Sequence, residues 1–135
     1  MFIAIDFDGT IVTHQYPRIG TPVPYAFESM KLMQQLGINL ILYTMRSGKE
    51  LQEAVDYCEF KGIQFYAVNE NPTQYKWTQS NKVFAHMYID DMAYGAPLLP
   101  IYEERPFFDW SKLYFTLGDI VQGKKTIDNL FGYQA

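Results

Sequence analysis

An α/β fold on an open, mainly parallel sheet is what this sequence predicts, and three observations carry the prediction. Short, mostly apolar runs recur at residues 2–5, 38–43, 63–68 and 83–89, the mark of strands buried on both faces. Stretches of helical apolar spacing stand between the first three, and a parallel sheet needs such crossovers to bring the chain back to one edge. Three of the runs also end in polar residues: Asp6 and Asp8, then Thr44, then Asp90 with Asp91.

Residues 2–7 form the first strand, and Ile11 and Val12 continue it into a short extended flap. Residues 13–24, with Pro17, Gly20, Pro22 and Pro24, are loop. From 24 to about 36, Ala26, Phe27, Met30, Leu32, Met33 and Leu36 recur near helical spacing, and Gly37 stands where a helix stops. Residues 38–43 form the second strand, ending at Thr44. Ser47 and Gly48 open a helix over about 49–61, stopped by Gly62. The third strand covers 63–68 and the fourth 83–89. A short edge strand is expected over 98–101 and an amphipathic helix over 110–121, while Pro97, Pro100 and Pro106 break up what lies between. The class is therefore α/β in three layers: a Rossmann-like open sheet, mainly parallel, with helices on both faces.

At 135 residues the chain is expected to be one domain, 1–135, in which 1–95 carries the chemistry and 96–135 is a C-terminal extension packed on the core. Aromatic residues make up 17% of it and charged residues 19%, a globular rather than disordered balance. A net charge of −4 argues against a general nucleic-acid coat, which needs a basic footprint. It leaves room for an enzyme of nucleotides, because a bound divalent cation reverses the local sign. Cys58 stands alone, so no intrachain disulfide is expected and a reducing compartment suits the chain. The N-terminus lacks the basic start and long apolar stretch of a signal peptide, and no apolar run approaches membrane-spanning length. The expectation is a soluble cytoplasmic protein with no membrane contact and no disulfide-linked partner; the oligomeric state is left open.

Asp6 follows a run in which nothing polar offsets the cost of burying a carboxylate, so a cation, hydrogen bonds or a shifted pKa must do so. The plain alternative is a solvated Asx turn closed by Gly9. In open parallel sheets ligands bind outside the carboxyl ends of the strands, which brings Asp6, Asp8, Thr44, Asp90 and Asp91 to one rim. Four carboxylates there repel one another unless a cation sits between them. Oxygen ligands with no Cys or His nearby point to Mg²⁺ rather than zinc. His14 and His86 are isolated in the sequence and read as structural. Tyr75, Trp77, Phe107, Phe108 and Trp110 read as packing residues rather than a platform for stacked bases.

Asp6-Phe7-Asp8-Gly9-Thr10, Thr44, Lys82 and Asp90-Asp91 match, in that order, the four motifs of haloacid dehalogenase-like hydrolases. Over roughly residues 1–95 the chain resembles a small member of that superfamily. The resemblance implies a Mg²⁺-dependent phosphomonoester hydrolase working through an aspartyl-phosphate. Asp6 would be the nucleophile, since a carboxylate–phosphate anhydride is readily hydrolysed. Asp8 would carry the proton to and from the leaving oxygen and offer its carbonyl to the metal. Thr44 would bind the phosphoryl oxygens with the backbone N–H groups of Met45 and Arg46, and the Arg46 side chain is a further candidate for substrate contact. Lys82 would neutralise the nucleophile–phosphate pair, with Lys76 as its rival. Asp90 and Asp91 would complete the metal site with Asp6 and Asp8, one directly and the other through water.

About 35 residues separate Asp8 from Thr44 and about 37 separate Thr44 from Lys82. Predicted elements fill both gaps, so there is no room for an inserted cap domain. The resemblance is thus to capless members with open sites, which take large substrates or use partners to close the site. Residues 13–24 and 102–110 are the segments that could stand in for a cap. The doubled Asp90-Asp91 resembles nucleotidase-like and polynucleotide-phosphatase-like members, which makes a nucleotide, a nucleic-acid end or another large phosphorylated molecule the expected substrate. The competing expectation is a non-catalytic phosphate-binding or interaction protein on the same scaffold.

Overall fold

The structure, a computed structural model, describes residues 1–101 and 104–131. Its elements run β1 (Phe2–Ile5), α1 (Ala26–Gln35), β2 (Asn39–Leu42), α2 (Gly48–Phe60), β3 (Ala67–Val68), a 3₁₀ helix (Pro72–Lys76), β4 (Met87–Ile89), β5 (Leu98–Ile101), β6 (Glu104–Phe108), α3 (Ser111–Val121) and α4 (Ile127–Leu130). β1 to β4 form one parallel sheet in the order β3-β2-β1-β4, which is the α/β architecture the sequence predicts. β5 and β6 form a separate antiparallel pair.

Alternation along the central strands divides the core. Ile3, Ile5, Leu40 and Leu42 point to one face and pack with Ala26, Met30 and Met33 of α1, Ala54 and Cys58 of α2, and Leu117 and Ile120 of α3. Ala4 and Ile41 point to the other face and pack with Val83 and Ala85. That second layer is thin. The segment 69–86, with its 3₁₀ helix, covers the face on which the predicted three-layer fold also puts helices, and the small side chains of Ala4, Ala67 and Ala85 let irregular backbone lie close to it.

The third and fourth strands are shorter than expected because their neighbouring amides bond elsewhere. Ile63 donates to the Cys58 carbonyl, closing α2, and Gln64 donates to the Gln34 side chain. Phe84 donates to Gln74 Oε1 and Ala85 to the Tyr88 hydroxyl. Satisfied donors have no need of a ladder.

Two elements besides the 3₁₀ helix went unread in the sequence. β6 contains Pro106, yet it lies at the edge of a two-stranded pair, where a missing N–H costs little. α4 is a single turn closed by a capping box between Thr126 and Asn129. Phe107, Phe108 and Trp110 are buried as expected, whereas Tyr75 and Trp77 are exposed. His86 is structural: its Nδ1 accepts the Phe2 amide at 3.0 Å and its ring stacks on Phe2. Among the described residues no helix is long and apolar enough to cross a membrane.

Candidate functional site

The chain leaves β1 at Asp6, whose amide donates to the Ile89 carbonyl at 2.9 Å, and then folds into a tight turn in which Thr10, Ile11 and Val12 all donate to the Phe7 carbonyl. This geometry sets Asp6 beside the end of β4. Carboxylate oxygens of Asp6, Asp90 and Asp91 lie within 4.8 Å of one another. The Asp6 carboxyl is pushed up from its ordinary 3.8 to about 8, by burial first and then by the charge of Asp90. The Thr10 hydroxyl sits among them, 3.0 Å from Asp6 Oδ2 and 3.4 Å from Asp91 Oδ1, and accepts the Asp91 amide at 3.1 Å. His14 Nε2 meets Asp91 Oδ2 at 2.9 Å. Gly9, at φ +82°, passes so close to His14 and Asp91 that a Cβ would collide with both side chains.

Asp8 is held separately, in an ion pair. Arg46 Nε donates to Asp8 Oδ2 and Nη2 to Oδ1, both at 2.8 Å, the bidentate arrangement that suits a guanidinium. The three remaining N–H groups go to the carbonyls of Pro17, Glu50 and Arg18. All five donors are thus used. The guanidinium lies between the rings of Phe7 and Tyr16, 5.0 and 5.1 Å from their centroids, and the residue is only 3% exposed. Arg46 therefore joins Asp8, α2 and the 13–24 loop.

Above these groups lies a cleft of about 510 Å³. Thr44 and Met45 form part of its wall; the Thr44 amide donates to Asn69 Oδ1 and its hydroxyl oxygen accepts the Arg46 amide. His14 and Tyr16 bring the 13–24 loop to the cleft, and Arg105 of β6 lines it as well. The loop side of the expected lid is therefore at the site. Residues 102–103 of the other expected lid, 102–110, lie outside the described residues.

Two expectations need correction. The Arg46 side chain is spent on protein acceptors, so it has no donor left for a substrate. Lys82 is not brought to the cleft: its Nζ lies over the Tyr88 ring, 5.9 Å from the centroid, and its backbone bonds to Ser80 and Gln74. Lys76 does not line the cleft either. Asp8 also stands apart from the carboxylate group formed by Asp6, Asp90 and Asp91.

No family model matches the chain. Among solved structures it is similar to that of a conserved protein coded by a locus from Bacteroides thetaiotaomicron, with 40% sequence identity over 96% of each chain and a TM-score of 0.70. The two proteins belong to one family. The likeness spans nearly the whole of both chains, so the family's fold takes in the C-terminal extension along with the motif-bearing part.

In this member of the family, sequence reasoning brought Asp6, Asp90, Asp91 and Thr44 to one rim and missed Thr10, His14 and Arg105. Thr10 carried a signal, since it stands four residues after Asp6 on the same turn. His14 and Arg105 carried none: they reach the site through loops whose course no periodicity records. The C-terminal extension braces the turn from behind. The Trp110 indole N–H donates to the Thr10 carbonyl at 2.7 Å, and the Phe108 amide donates to the Gly9 carbonyl at 2.9 Å.

Proposed function

We propose that the protein is a Mg²⁺-dependent phosphomonoester hydrolase that works through an aspartyl-phosphate on Asp6. The observation that carries this reading is the crowding of Asp6, Asp90 and Asp91 within 4.8 Å, with the Asp6 carboxyl raised to about 8. Such a group is unfavourable as three free anions and fits a hard cation. Asp6, Asp90 and Asp91 would hold Mg²⁺, with the Asp8 carbonyl as a further ligand. When bound, the metal draws charge from the phosphoryl oxygens and lets a phosphate dianion approach a carboxylate.

An Asp6 oxygen attacks phosphorus as the bond to the leaving oxygen breaks, and Asp8 supplies the proton that the leaving oxygen needs. Water then attacks phosphorus, gives its proton to Asp8, and frees both Asp6 and inorganic phosphate. Arg46 fixes the Asp8 carboxylate through one lone pair on each oxygen, leaving the others open to the cleft. The Thr44 hydroxyl has a proton to offer a phosphoryl oxygen. An unroofed cleft of about 510 Å³ suits a nucleotide, a nucleic-acid end or another large phosphate ester, and a lone, buried Cys58 suits the cytoplasm.

Hydrolysis of an aryl phosphate with and without EDTA, in the wild type and Asp6→Asn, tests this. Turnover should need Mg²⁺ and fall at least about a thousandfold in the variant; full activity of Asp6→Asn would overturn the reading. One observation favours a second reading, a non-catalytic binder of metal and phosphate: Lys82 lies outside the cleft. That reading predicts Mg²⁺-dependent phosphate binding by calorimetry with no turnover across a broad ester panel.

A further inference from the structure

We propose that Arg105 is the cation that meets the phosphoryl oxygens of the substrate, supplied by the β5–β6 hairpin in the role that the sequence motifs would give to Lys82. The proposal rests on the phosphoryl-transfer reading above. The cleft is walled by the carboxylates of Asp6, Asp8, Asp90 and Asp91 and by two guanidinium groups. Arg46 has all five N–H donors on protein acceptors. Arg105 is the opposite case. Among the described residues its one polar contact is Nη2 to Met92 Sδ at 3.4 Å, and a thioether is a weak acceptor.

The position is built, although among the described residues the side chain has only the Met92 contact. Phe107 and Phe108, the next residues of β6 after Pro106, are 2% and 8% exposed and pair with Leu99 and Leu98 of β5. The Phe108 amide is tied to the Gly9 carbonyl on the Asp6 turn. Met92, which Arg105 touches, donates its amide to Asp90 Oδ1 at 2.9 Å. The guanidinium therefore lines the same cleft as the carboxylates, on strands anchored to the same turn. A planar fork with free donors matches two phosphoryl oxygens at once, and at this place it offsets negative charge that builds up during transfer.

The test pairs kinetics with binding, on the full chain with Mg²⁺. Arg105→Gln should lower kcat/KM for an aryl phosphate about a hundredfold and weaken inorganic phosphate binding in calorimetry. Arg105→Lys should recover part of both, because it restores charge without the fork. Arg105 is exposed, so the melting temperature should stay at the wild-type value and separate this effect from misfolding. If the wild type binds phosphate through Arg105 but turns nothing over, the inference stands and the catalytic reading fails. Arg105→Gln with kcat/KM and phosphate affinity within threefold of the wild type would overturn the inference and leave the hydrolase reading intact. A wild type that neither binds phosphate nor turns over the ester would overturn both.

Discussion

At the scale of single residues, Arg46 shows how a charged side chain near a phosphate-binding turn can serve the protein alone. Its five hydrogen bonds include a part-buried bidentate pair with Asp8, and their worth lies in being complete. Lysine keeps the charge but has three donors on one point, so it cannot reach five acceptors spread over Asp8, Pro17, Arg18 and Glu50. Arg46→Lys is expected to lower stability by about 2–4 kcal/mol in urea denaturation, and Arg46→Met by at least as much because the half-buried Asp8 then loses its partner as well. A change below about 0.5 kcal/mol in Arg46→Lys would mean that the carbonyl contacts contribute nothing. The sequence could not give this away. Arg46 follows Thr44 closely enough to suggest substrate contact, and the acceptors that absorb it belong to a proline-bearing loop with no periodic pattern.

Secondary-structure elements were legible in proportion to how far hydrophobic burial shaped them. β1, α1, β2 and α2 are amphipathic or fully buried, and their limits fall within about two residues of expectation. β6 and α4 were not legible. One is an edge strand carrying Pro106 and the other a single turn, and neither leaves a period to detect. The extension they belong to nevertheless reaches the candidate site through Trp110, which is fully buried and donates to the Thr10 carbonyl. Trp110→Phe keeps an aromatic ring and removes that donor, leaving a buried carbonyl unsatisfied. The expected loss is about 1–3 kcal/mol of stability, together with weaker Mg²⁺ binding measured by calorimetry, because Thr10 is what spaces Asp6 from Asp91. Unchanged metal affinity in a destabilised Trp110→Phe would confine the extension to a packing role.

For the molecule as a whole, the grouped carboxylates tie folding to pH. Asp6 titrates near its ordinary 3.8 when unfolded and at about 8 in the metal-free fold. Between those values the folded state binds more protons, so stability falls as pH rises. The contribution is fully present below about pH 4 and gone above about pH 8, and its size is on the order of a few kcal/mol. The metal-free protein should therefore melt at progressively lower temperature from pH 5 to pH 8. Mg²⁺ should reverse the loss at pH 8, since a ligand of the folded state alone stabilises it, and Asp6→Asn should flatten the slope. A metal-free melting temperature that rises over that interval would contradict the assignment. This coupling was half-legible: doubled and spaced aspartates at strand ends announced the charge, but their spacing in three dimensions depended on the turn that Thr10 and Gly9 shape.

The Arg46 contacts have one more consequence, which concerns movement. The loop 13–24 borders the cleft through His14 and Tyr16, as a hinged cover would. Yet the carbonyls of Pro17 and Arg18 are held by the same guanidinium that grips Asp8. Swinging the loop outward would strip two acceptors from a desolvated cation and loosen an aspartate of the candidate chemistry in the same motion. This side of the entrance is a doorpost rather than a door. A molecule that enters must fit the opening as that loop frames it, or shift something other than residues 13–24.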